Sequence, residues 1–140
     1  MECIIKPYKG AGQVNFGMTR DEVAFTLRET PESFKKSEED LFETDAFSSC
    51  FVYYKEPGIC EAIEFIEPAK IKFIDVSLFE IPYREIEAYF LKQDKDIEID
   101  ESGFTSYKFG VGIYAPLAYD SPDDRIESVI IFEKGYYKSE

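Results

Sequence analysis

The segment Tyr119-Asp120-Ser121-Pro122-Asp123-Asp124 packs three carboxylates, a phenol and a hydroxyl into six residues. Carboxylates this close can hold a divalent cation loosely, or meet Lys and Arg side chains on another protein. The same letters also make an ordinary solvated turn, with Pro122 and the Asp residues supplying the turn chemistry. Asp94, Asp96 and Glu98 begin like a calcium loop. However, Ile99 stands where the turn glycine is required and Thr105 where the closing glutamate is required. Alternating acids on a solvated edge strand account for them, so no metal site is expected. Gly12 to Thr19 has the glycine spacing of a phosphate-binding loop, but Met18 occupies the place of its lysine. No cofactor is expected there. The chain has no histidine, which removes Ser-His-Asp and Cys-His catalysis and the commonest zinc ligand sets. Cys3, Cys50 and Cys60 have no metal-site spacing and read as reduced, small apolar residues. No catalytic residue is assigned, and the chain does not read as an enzyme.

What remains is charge and aromatic surface. Asp and Glu number 29 against 16 Lys and Arg, a formal net charge of −13. The chain is also 44% hydrophobic and 16% aromatic, too apolar for a disordered acidic tail. It reads as a folded domain with an anionic skin, which repels nucleic acid and anionic membranes and attracts basic proteins. Tyrosine beside carboxylates suits a basic partner, because the ring buries area while the acids steer and pair. The expected partner-binding set is Tyr53, Tyr114, Tyr119, Asp120, Asp123, Asp124, Tyr136 and Tyr137.

These residues must be held by a scaffold. A length of 140 residues fits one domain that needs no disulfide or metal to fold. No targeting segment or membrane span is read, so the expected compartment is the cytoplasm. Thr19-Arg20-Asp21-Glu22 is a capping box that opens a helix, expected to run to about Thr30 ahead of Pro31. A short strand at Ser33–Lys36 and a loop over Ser37–Asp45 follow. Ser49 to Ile66 reads as a hairpin turning at Glu56–Ile59, with Lys55 opposite Cys60, Val52 opposite Ile63 and Phe51 opposite Glu64. Further strands are expected at Lys70–Val76, Asp96–Asp100, Ser106–Tyr114 and Arg125–Glu133, with a second helix opening at Pro82. The order helix, short strand, hairpin occurs twice, giving pseudo-repeats of about 14–67 and 71–134. The expected fold is α+β: one antiparallel sheet with helices on one face, built from two pseudo-repeated helix-plus-hairpin units.

Val14-Asn15-Phe16-Gly17-Met18-Thr19-Arg20-Asp21-Glu22-Val23 resembles the entry to small bacterial α+β repeats. Such repeats occur in the β-lactamase inhibitory protein and the SmpA/OmlA-type outer-membrane assembly lipoproteins. The resemblance implies helices packed on an antiparallel sheet used as a protein-binding surface. In general style the chain is also similar to immunity proteins of toxin systems. The expected function is an acidic cytoplasmic binding module, immunity- or inhibitor-like, for a basic protein such as a toxin. The alternatives are a carboxylate-based hydrolase or cation-dependent enzyme near Asp120, Asp123 and Asp124, and a structural or assembly subunit.

Overall fold

In the computed structural model, which describes residues 2–137, the capping box forms as its letters require. Thr19 Oγ1 accepts from the Glu22 N–H at 3.2 Å, and Glu22 Oε1 accepts from the Thr19 N–H at 2.9 Å. They open helix α1 (Arg20–Leu27), which stops earlier than expected because Arg28 takes a left-handed conformation, φ 58°. Helix α2 (Tyr83–Gln93) starts after Pro82, which offers no side-chain cap. Its first N–H groups are satisfied from outside. Tyr83 and Arg84 donate to the carbonyls of Asp124 and Pro122, both at 2.9 Å.

The strands in chain order are β1 (Glu2–Lys6), β2 (Gly10–Ala11), β3 (Val14–Asn15), β4 (Glu32–Phe34), β5 (Thr44–Ala46), β6 (Cys50–Lys55), β7 (Ile59–Ile66), β8 (Lys70–Phe73), β9 (Val76–Ser77), β10 (Glu98–Asp100), β11 (Gly103–Ser106), β12 (Val111–Tyr114) and β13 (Ser128–Phe132). An eight-stranded antiparallel sheet has the order β10-β11-β12-β13-β7-β6-β5-β4. A five-stranded sheet has the order β3-β2-β1-β8-β9, and its β1–β8 pair is parallel. In the large sheet each helix is followed by four antiparallel strands, β4–β7 after α1 and β10–β13 after α2. The last strands of the two runs, β7 and β13, pair with each other at the centre.

One face of the large sheet makes the core. Val52, Ile63, Ile131 and Val111 sit in a row across four strands, all buried. The other side of that core is α1, α2 and the five-stranded sheet. Phe90 of α2 stacks on Phe73 of β8 at 4.4 Å and meets Phe104 of β11 at 5.0 Å, so α2 is wedged between the two sheets. Burying one such ring contributes about 1.5–3 kcal/mol.

The fold class therefore differs from the α+β expectation of one antiparallel sheet with helices on one face. The described residues are mostly β, 39% strand and 14% helix, with two sheets rather than one. The expected helix-plus-hairpin unit is instead a helix and four strands. The physical reason is strand length. Several strands of the small sheet have only two residues, too short to show alternation. The pairing that joins the two parts of this sheet is also remote: Cys3 of β1 pairs with Ile71 of β8. The strand expected at Lys70–Val76 does not extend the hairpin but joins β1, and the chain reverses at Ile74, φ 56°.

Three local features were also hidden in the pattern. Strand β5 begins inside the expected 37–45 loop. The expected Ser106–Tyr114 strand is broken by a turn ending at Gly110, φ 69°, where a Cβ would lie 2.8 Å from the Tyr8 ring and 2.9 Å from the Phe132 carbonyl oxygen. A bulge at Tyr53/Tyr54 pairs Tyr54 with Cys60 and Lys55 with Ile59, one residue off the expected Lys55–Cys60 register. Among the described residues no helix is long and apolar enough to cross a membrane.

Candidate protein-binding face

Strand alternation sends every second side chain of the large sheet away from the core. Those residues form an open face. Across it run Phe51, Glu64, Ile130, Gly112 and Thr105, each opposite the next in register. A second row holds Ile66, Ser128, Tyr114, Gly103 and Asp100. A third holds Tyr53, Ala62 and Phe132.

Glu64 lies at the middle of this face. Tyr53 Oη donates to its Oε1 at 2.6 Å, and Ser128 Oγ donates to its Oε2 at 2.7 Å. Burial, and then the bond to Glu64, push the Tyr53 phenol well above its ordinary pKa, so it remains a donor. Beside Glu64 is a hollow of ≈ 320 Å³ lined by Glu64, Asp100, Ser102, Thr105, Gly112, Tyr114, Ser128, Ile130 and Tyr137, among others. Gly112 keeps its floor low, since a Cβ there would come within 2.8 Å of Ile130 Cγ2.

Residues 133–137 fold over the same face. Phe132 is fully buried beneath rings, with Tyr137 edge-on at 4.9 Å, Tyr136 stacked at 5.9 Å and Tyr8 at 6.1 Å. A second hollow, also ≈ 320 Å³, lies between Tyr53, Tyr136, Lys36, Glu61 and the 39–42 segment. There Lys36 Nζ stands 4.1 Å from the centre of the Tyr53 ring. Burial, helped by Glu133, raises the Glu61 carboxyl above its usual range, while Lys55 and Lys36 oppose the shift.

The structure thus brings together four of the residues expected from sequence, Tyr53, Tyr114, Tyr136 and Tyr137, on one sheet face. It places Tyr119, Asp120, Asp123 and Asp124 elsewhere, on the loop that caps α2. Asp123 pairs with Arg84 at 2.7 Å in the open, with both side chains more than 60% exposed. Tyr119 is 79% exposed and lines a third hollow, of ≈ 200 Å³, with Tyr83, Arg84 and Pro122. Asp100 borders both this hollow and the one at Glu64, so the two regions meet along the β10 edge. Replacing Asp123 with Asn is expected to change stability by no more than about 0.5 kcal/mol in thermal unfolding, because an exposed ion pair contributes little. A larger loss would show that the pair itself, rather than the loop carbonyls, holds the start of α2.

Sequence reasoning missed Glu64, Asp100, Ser128 and Gly112 as site residues. The signal for Glu64 was present, since the hairpin register sets it opposite Phe51 and on the Tyr53 face. Nothing in the letters showed that Ser128, from a remote strand, would reach it.

Other chemical groups have structural work. The thiols of Cys50 and Cys60 are buried and pushed up to about 12, which leaves them inert at neutral pH. All three cysteines are free. Among the described residues, no group of acids and cysteines is arranged to hold a metal ion. On the open face, the described residues lining the Glu64 hollow include two carboxylates and no Lys or Arg. Such a surface accepts hydrogen bonds and positive charge. Comparison with known proteins finds no family model, no curated protein and no solved structure that matches this chain.

Proposed function

We propose that this chain is an acidic, cytoplasmic protein-binding module of the immunity or inhibitor type, and that it covers a basic surface of a partner with the open face of its large sheet. The observation that carries this reading is the gathering of Tyr53, Tyr114, Tyr136 and Tyr137 around Glu64 on one face, in a chain of net charge −13. The negative field steers a cationic protein toward the face, and the rings then supply area that can be desolvated. Free cysteines, two of them buried, agree with a reducing compartment. A basic nuclease toxin is a partner of the right chemistry.

The test uses a purified basic partner and stopped-flow association. Raising salt from about 50 to 500 mM is expected to slow association roughly tenfold or more while dissociation changes little. Tyr114→Ala, at a position 45% exposed, is expected to leave folding intact and to weaken binding by about 30-fold, as for a central aromatic contact. An association rate indifferent to salt would remove the steering. Full affinity in Tyr114→Ala would move the interface off this face.

A further inference from the structure

Both oxygens of Glu64 are already oriented, Oε1 by Tyr53 and Oε2 by Ser128. An ionised carboxylate offers about four lone-pair positions, so one acceptor position remains on each oxygen. Two fixed acceptors side by side match the paired N–H groups of a guanidinium; an ammonium is a point charge that gains less from the second. The surroundings suit a planar cation. Gly112 leaves bare backbone on the floor, where any Cβ would crowd Ile130. Tyr114 and Tyr137 border the hollow, and a guanidinium stacks well on such rings. A separate observation points to a cation. The ring of Tyr53, whose hydroxyl holds Glu64, already carries the ammonium of Lys36 at 4.1 Å. That internal amine serves the neighbouring hollow, and it is not among the residues lining the one at Glu64.

We propose that the Glu64 hollow is the seat of one arginine side chain of the partner protein, paired through two hydrogen bonds with Glu64 and stacked on the bordering tyrosines. This rests on the binding function proposed above and names the group it recognises. The test is an amide chemical-shift titration of the full chain with N-acetyl-arginine-amide, and with the lysine and citrulline analogues in parallel. Signals of Gly112, Tyr114 and Ser128 are expected to move saturably with the arginine compound. The lysine compound is expected to bind at least about fivefold more weakly, and uncharged citrulline not measurably. Glu64→Gln keeps the side-chain size and is expected to weaken the arginine response at least about tenfold. Tyr114→Ala provides a second variant at an exposed position.

Equal response to arginine and citrulline would overturn the proposal in favour of a neutral polar ligand. Equal response to arginine and lysine would overturn the claim for a guanidinium. No movement at these amides would overturn the seat altogether. The same Glu64→Gln chain is then measured against the basic partner. Partner affinity unchanged by the variant overturns the assignment to the partner's arginine and leaves the wider binding reading standing. A normal arginine titration with no basic protein bound removes the wider reading while the chemistry of the hollow stands.

Discussion

Replacing Arg20 with methionine is expected to destabilise the chain by about 3–5 kcal/mol, more than replacing Asp45 with asparagine. Asp45 of β5 is 1% exposed. It accepts from Arg20 Nη2 at 2.6 Å and Nε at 3.2 Å, from Ser33 Oγ at 2.6 Å and from Tyr54 Oη at 2.9 Å. These bonds tie α1, β4 and β6 to β5. Removing Arg20 strands a buried carboxylate, and that desolvation dominates. Removing the charge of Asp45 frees an arginine whose side chain is 36% exposed and can turn to water. The cost is then mainly weakened bonds at Ser33 and Tyr54, about 1–3 kcal/mol.

The same cluster sets an acid dependence. Burial pushes the Asp45 carboxyl up, but the hydrogen bonds from Arg20, Ser33 and Tyr54 together outweigh it, so its folded pKa is lowered. A lowered carboxylate stabilises fully above the unfolded-state pKa, and the stabilisation is lost as pH falls through the folded value. In Arg20→Met the largest opposing bond is gone, and less of the lowering remains. That variant should lose less stability than the parent as pH falls below the ordinary carboxylate range, about pH 4, toward the folded value. Urea unfolding at several pH values measures both chains; parallel curves would contradict the argument.

Phe90→Ala is expected to cost a further about 3–5 kcal/mol in its own right, as for a fully buried ring cut from a core. Phe90 is 0% exposed and touches Phe73 of the small sheet and Phe104 of the large one. Its loss empties the joint between the sheets rather than one wall of a single layer. Hydrogen exchange is therefore expected to rise first in β1 and β8, before β7 and β13, which are paired along five residues at the centre of the large sheet. A loss under about 1 kcal/mol, or uniform exchange, would show that α2 is not what holds the two sheets together.

The parts of this fold written in neighbouring residues were legible. Thr19 and Glu22 fixed the start of α1 because both capping partners lie within one turn. Val52 pairs with Ile63 and Phe51 with Glu64 as the alternation of apolar residues on the two strands requires, and the bulge offsets the one-residue difference at the turn. The register failed only beyond Tyr53, where a bulge adds a residue that the letters do not mark. The five-stranded sheet was not legible, since strands of two residues carry no period and β1 finds β8 across most of the first half of the chain.

The site divided along the same line. Composition alone established an anionic, tyrosine-rich chain and ruled out histidine chemistry, because charge and residue type do not depend on folding. It also nominated the acidic 119–124 loop, whose carbonyls the fold uses to cap α2. Which tyrosines share a surface was decided by the β7–β13 pairing. That pairing sets Ser128 beside Glu64 and brings the second half's Tyr114 onto the face that holds the first half's Tyr53. Local sequence fixes which way a side chain points from its own strand, because the pleat repeats every two residues. Only the packed chain fixes which strands lie next to each other, because that depends on burying all the apolar faces at once.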